Sequence, residues 1–103
     1  MNQDIKKLDS ICSKLAGVEI GLMNGEIEFV YDNLFCAMKP GHPCEIMDGI
    51  LSKIYYPTIQ GKELPMETLK TTLGELQEFT KAFQVKEMEG PLEELATYIQ
   101  QYS

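Results

Sequence analysis

Hydrophobic positions recur every three or four residues along most of this chain. Within residues 4–16, Ile5, Leu8, Ile11, Cys12 and Leu15 share one helical face while Lys6, Lys7, Asp9, Ser13 and Lys14 lie elsewhere, and Gly17 follows as a stop signal. Pro43 suits the first turn of a helix. After it, Ile46, Met47, Ile50, Leu51, Ile54 and Tyr55 form a second stripe, closed by Pro57. Beyond the loop "TIQGKEL", Pro65 opens the longest periodic segment. There Met66, Leu69, Leu73, Leu76, Thr80 and Phe83 alternate spacings of three and four around Gly74. Gly90-Pro91 breaks the chain, and Leu92, Leu95, Ile99 and Tyr102 repeat the seam.

The stretch "LMNGEIEFVYDNLFCAMKPGHP", residues 22–43, fits two structures. A two-residue turn at Asn24-Gly25 makes a β-hairpin over residues 18–31, pairing Leu22 with Ile27, Ile20 with Phe29 and Val18 with Tyr31 on one face. Glu19, Glu26 and Glu28 then occupy the other face. Alternatively, a helix over residues 26–38 aligns Ile27, Val30, Tyr31, Leu34 and Met38, with Asn24 as N-cap and Glu26 and Glu28 near the positive helix end. Lys39 then lies in its last turn, before the breakers Pro40, Gly41 and Pro43. The apolar run Leu34–Met38 favours the helix, because the hairpin leaves it in a loop where it is costly to expose. The helix leaves "GVEIGLMN" as a partly apolar connection. The expected fold is all-α, a small antiparallel bundle of four to five helices over residues 1–103, with an α+β fold carrying the hairpin as the alternative.

Charge narrows the functional classes. The chain carries a net charge of −7, and its nine basic residues are all lysines. Nucleic-acid binding relies on clustered Lys and Arg that displace phosphate counterions, so this balance speaks against it. The same acidity attracts a basic protein and speeds its docking. The first residues lack the long apolar block and small-residue cleavage site of a secretory signal. No stretch approaches the roughly 20 apolar residues of a membrane span. Three cysteines, Cys12, Cys36 and Cys44, fit reduced thiols and a cytoplasmic location.

Catalytic and metal chemistry are not legible. Cys36, His42 and Cys44, with Cys12 as a fourth ligand, lack the paired spacings of a zinc site. His42 between Gly41 and Pro43 reads as a solvated loop residue rather than a base for a cysteine nucleophile. The carboxylate pairs Glu93-Glu94 and Glu26 with Glu28 read as solvated faces, and "GKEL" lacks the glycines of a phosphate loop. No enzyme, metal or cofactor is therefore expected. Adjacent Tyr55 and Tyr56 point about 100° apart on a helix. With Tyr55 on the core stripe, Tyr56 turns outward, where tyrosines anchor protein interfaces.

The segment "HPCEIMDGILSKIYYPTIQGKELPMETLK" resembles the middle of the colicin-type nuclease immunity family of bacteria. The shared features are His42-Pro43, Asp48-Gly49, Ile54-Tyr55-Tyr56-Pro57, Pro65 opening the next helix, and Lys70 on it. The His42–Tyr55 spacing is longer than that family's, and Lys53 stands where it carries an acid. The chain's length and helix order are similar to the immunity proteins of lactic-acid-bacterial peptide bacteriocins. The resemblance implies a cytoplasmic helical protein that occludes a basic toxin without catalysis. Tyr55 and Tyr56 would be its anchors, and Glu26, Glu28, Asp32 and Asp48 its acids. A phage or host regulator that sequesters another protein, and a small Cys/His metal-binding domain, are the alternatives.

Overall fold

The computed structural model describes residues 3–38 and 41–103, the side chains of Asn33, Phe35 and Cys36 excepted. Its elements are α1 (Ile5–Met23), α2 (Asn33–Met38), α3 (Pro43–Ile59), α4 (Met66–Phe83), a 3-10 turn (Lys86–Met88) and α5 (Glu89–Tyr102). No strand occurs among the described residues, and the fold is the all-α bundle. Helix α1 packs on α3 and α5, and α4 packs on the same two, so the four longer helices close a ring around one core. Helices α1 and α3 run antiparallel: Ser13 meets Tyr55, whereas Glu19 lies beside Asp48. No helix among the described residues is long and apolar enough to cross a membrane.

Helix α1 starts where Asp4 accepts a hydrogen bond from the Lys7 N–H at 3.0 Å, satisfying one of the amides that the first turn leaves free. It does not stop at Gly17. An interior glycine costs a helix about 1 kcal/mol relative to alanine. Beyond it, Val18 and Leu22 are buried, and burying such side chains returns roughly 1.5–3 kcal/mol each. The expected connection "GVEIGLMN" is thus helix. It ends in a Schellman arrangement: the Glu26 N–H donates to the Gly21 carbonyl at 2.8 Å and the Gly25 N–H to the Leu22 carbonyl at 3.4 Å. This requires a left-handed residue at Gly25, whose φ is 74°. Asn24-Gly25 therefore closes a helix; it neither turns a hairpin nor caps a second helix. Helix α3 closes in the same way, with φ 74° at Gly61 and bonds from Gly61 to Thr58 and from Lys62 to Pro57. Pro57 is absorbed into the last turn instead of ending the helix.

Residues 26–32 form no regular secondary structure, which corrects the expected helix over 26–38; only its final six residues are helical, as α2. The Val30 N–H donates to the Phe83 carbonyl at 2.8 Å. Phe29 and Tyr31 meet Phe83 edge-on with ring centroids at 6.4 and 5.6 Å, and Phe29 meets His42 at 5.6 Å. The segment is thus held at this point by the end of α4. Its anchor at the other end is Ile27, whose N–H also donates to the Gly21 carbonyl, at 3.1 Å. Val30, Tyr31, Leu34 and Met38, expected on a buried stripe, are exposed, Leu34 and Met38 to 79% and 75%. The expected roles of Lys39 and Pro40 lie outside the described residues.

The break before α5 also moves. Gly90-Pro91 falls in the first turn of α5, where proline's missing N–H has no helical partner to lose. The chain turns instead at Gln84, a left-handed residue with φ 52°, and Val85 and Met88 drop into the core behind it.

Gly17 and Gly21 have opposite surroundings. A Cβ on Gly17 meets nothing within 4 Å, whereas one on Gly21 lies 2.5 Å from Ile27 Cδ1 and 2.7 Å from Cγ1. Gly17→Ala should stabilise the fold by about 0.5–1 kcal/mol through helix propensity. Gly21→Ala should destabilise it by about 1–2 kcal/mol, because Ile27 must give way. Urea unfolding midpoints that move in the same direction for both variants would contradict this account of residues 17–27.

Candidate functional site

The antiparallel seam of α1 and α3 opens into a cleft of about 160 Å³. Ala16 and Glu19 form its α1 wall; Asp48, Leu51 and Ser52 form the α3 wall, and Tyr55, Tyr56 and Ile59 close one end. Tyr55 is half-buried, its hydroxyl 3.2 Å from Ser13 Oγ. Tyr56 points outward, as the 100° offset requires. Four large apolar side chains stand exposed along these two helices: Tyr56 (61%), Ile59 (60%), Ile20 (51%) and Met23 (62%). Ala16, Glu19, Ile20 and Met23 follow an i, i+3, i+4, i+7 pattern and so lie on one side of α1.

Glu19 is the residue that sequence reasoning missed. It fell in the supposed connection of one reading and on the solvent face of a hairpin strand in the other. The available signal was the Leu15, Val18, Leu22 continuation of the α1 stripe across Gly17, which makes Glu19 helical and places it at the edge of the buried face. Its Oε1 is buried and finds no hydrogen-bond partner among the described residues. Burial, with the Asp48 carboxylate adding repulsion, pushes the Glu19 carboxyl up to about 7. Two carboxylates therefore share a cleft that no lysine lines among the described residues. Nearby lysines are drawn elsewhere: Lys14 Nζ lies 2.9 Å from Glu94 and Lys53 Nζ 2.8 Å from Glu75.

The structure divides the expected site residues. Asp48, Tyr55 and Tyr56 come together at the cleft. Glu26, Glu28 and Asp32 lie on the irregular segment 26–32, not on a helix, and are exposed. Glu26 accepts a hydrogen bond from Asn24 Nδ2 at 3.3 Å. With Gln84, Lys86 and Glu87, Glu26 and Glu28 border a second, open groove of about 710 Å³. Phe29 of this segment touches His42 at the start of α3, and Tyr56 lies about 21 Å along the helix axis from there at about 1.5 Å per residue.

Cys12 lies in the core, Cys44 packs against it, and His42 caps a helix. His42 is the N-cap of α3, its Nδ1 accepting from the Cys44 N–H at 3.1 Å, rather than a solvated loop residue. That nitrogen is occupied by the Cys44 backbone N–H. Cys12 is fully buried, and burial together with Asp9 pushes its thiol up to about 12, so it stays protonated. Cys12 adjoins Ser13 and hence the Tyr55 end of α3, about 16 Å along the axis from Cys44. No group of three His, Cys, Asp or Glu side chains among the described residues could hold a metal ion; Cys36 lies outside them.

No protein-family model, curated protein or solved structure matches this chain.

The raised Glu19 carboxyl has a stability consequence of definite sign. The fold favours its protonated form. The penalty is complete above about pH 7, where Glu19 is ionised in the fold, and is absent below its unfolded value near 4.5. Glu19→Gln should therefore unfold at a higher urea concentration than the parent at about pH 8, and the gap should close as pH falls from about 7 to 4.5. A gap independent of pH would contradict the burial of this carboxylate.

Proposed function

We propose that this protein is a non-catalytic binding protein that neutralises a basic protein toxin by occlusion, the role of an immunity protein. The observation that carries this reading is the α1–α3 face. Exposed Tyr56 and Ile59 line a cleft with Glu19 and Asp48 that no lysine lines among the described residues, and exposed Ile20 and Met23 lie on the same side of α1 as Glu19. Apolar side chains exposed in a group favour an interface. Tyrosine is enriched among the residues that dominate binding energy, and an acidic setting selects a cationic partner and speeds its approach. The net charge of −7 extends that attraction beyond the face itself. The resemblance around Ile54-Tyr55-Tyr56-Pro57 supports the immunity role, and Tyr56 carries the anchor because Tyr55 is tied to Ser13. Glu26, Glu28 and Asp32 act by steering at the far end of the bundle.

The reading is tested by identifying the protein that co-purifies from the native cell and expressing it alone. A basic protein whose toxicity is relieved by this chain supports it; a partner that is acidic or harmless overturns it. With that partner, Tyr56→Ala combined with Ile59→Ala should weaken binding by at least about 2 kcal/mol while the helical circular dichroism is unchanged. An unaltered titration isotherm would remove the α1–α3 face from the interface.

A further inference from the structure

We propose that the surface carrying Val30, Tyr31, Leu34 and Met38 is a second docking surface, and that its occupant is an apolar segment of a protein partner that also bears lysine or arginine. It goes beyond the binding role proposed above, which places the partner on the α1–α3 face.

The first observation is where apolar side chains are left in water. Eight large ones are exposed among the described residues, and four of them fall within the nine residues 30–38. Leu34 and Met38 are the two most exposed of all. They stand four residues apart and so share one side of α2. Helix α2 has only six residues, and a helix that short is marginal in water unless its apolar face is packed. It shares no extensive packing with another helix among the described residues. Apolar side chains exposed in such a group mark a surface that another molecule covers.

Charge selects the occupant. Residues 26–39 carry three acids, Glu26, Glu28 and Asp32, and one lysine, Lys39. Val30 lines the open groove of about 710 Å³ together with Glu26, Glu28 and Glu87, against the single lysine Lys86. Apolar contact and negative charge therefore adjoin at Val30. A segment with apolar residues beside lysine or arginine complements both. A second copy of this chain does not, because it would bring the same carboxylates together. Four side chains are also a small part of the roughly 20–30 residues that each side of a standard interface provides. An anionic membrane is matched no better: helices that lie on one carry a lysine- and arginine-rich polar face, the opposite of the charge found here.

The probe is the peptide acetyl-Lys-Leu-Leu-Lys-Lys-Leu-Leu-Lys-amide, titrated into the ¹⁵N-labelled full chain. Two control peptides separate its features, one with glutamate for every lysine and one with serine for every leucine. The parent peptide should saturably shift the amides of Val30, Tyr31, Leu34 and Met38 and leave those of Tyr56 and Ile59 in place; neither control should bind. Leu34→Ser combined with Met38→Ser should weaken binding about tenfold through lost apolar burial, with the helical circular dichroism unchanged. Glu26→Gln combined with Glu28→Gln leaves α2 intact and should weaken it about threefold at low salt, a difference that closes toward about 1 M salt. Equal binding of the parent and glutamate peptides, shifts confined to the α1–α3 face, or undiminished binding by both variants would overturn the proposal. So would dimerisation of the free chain, or its binding to phosphatidylglycerol vesicles, if Leu34→Ser with Met38→Ser abolished it, because a second copy or lipid would then cover the surface. None of these readouts involves the toxin, so a toxin that ignores Tyr56 and Ile59 removes the α1–α3 reading and leaves this one standing.

Discussion

The stripe Leu8, Ile11, Cys12, Leu15, Val18 and Leu22 is buried along nearly the whole of α1, and the antiparallel packing of that stripe on α3 sets the position of everything else. It carries the helix through two glycines, whose combined propensity cost of about 2 kcal/mol is less than the burial of Val18 and Leu22 returns. Because α1 reaches Met23, its last turn stands beside the first half of α3. That length brings Glu19 opposite Asp48 and places the left-handed Gly25 where the chain can fold back onto the Gly21 carbonyl. A shorter α1 would have neither the cleft nor the fold-back.

The fold-back then organises the far end of the bundle. Ile27 fills the space that a side chain on Gly21 would take, and Phe29 and Tyr31 continue to Phe83 at the end of α4. Phe83 stacks in turn on Phe79 with centroids 4.9 Å apart. At the opposite terminus, the Gln3 side chain donates to the Leu64 carbonyl at 2.6 Å and accepts from its N–H at 3.0 Å, holding the α3–α4 loop. The segment 26–32 is thus tied to α1 and α4 by backbone hydrogen bonds, and the α3–α4 loop to the Gln3 side chain. They hold their conformation without regular structure of their own.

Much of the architecture was legible in the sequence because the stripes of α3, α4 and α5 are periodic and uninterrupted. What could not be read was where local signals compete with packing. Gly17 and Pro57 look like terminators, yet both lie inside helices, because burial on either side outweighs them. Asn24-Gly25 is equally suited to a hairpin turn and a helix C-cap, since both demand a left-handed residue; only the helical stripe behind it tells them apart. The alternation of Ile27, Phe29 and Tyr31 suggested a strand, but these residues form neither strand nor helix and pack instead against the ends of α1 and α4. Of the candidate site, the placement of Tyr55 and Tyr56 followed from helical spacing and Asp48 came from the resemblance, while Glu19 was hidden by the misplaced end of α1.

The functional reading rests on charge placed where apolar surface is also exposed. Lys14 and Lys53 pair with Glu94 on α5 and Glu75 on α4, which leaves the α1–α3 cleft acidic beside Tyr56 and Ile59. The most direct measurement is carbodiimide labelling of carboxylates in the free chain and in the complex with its co-purifying partner. Glu19 and Asp48 should lose their labelling in the complex while carboxylates such as Glu78 on α4 keep theirs. Equal labelling of Glu19 and Asp48 in both states would show that the α1–α3 face is not where the partner sits.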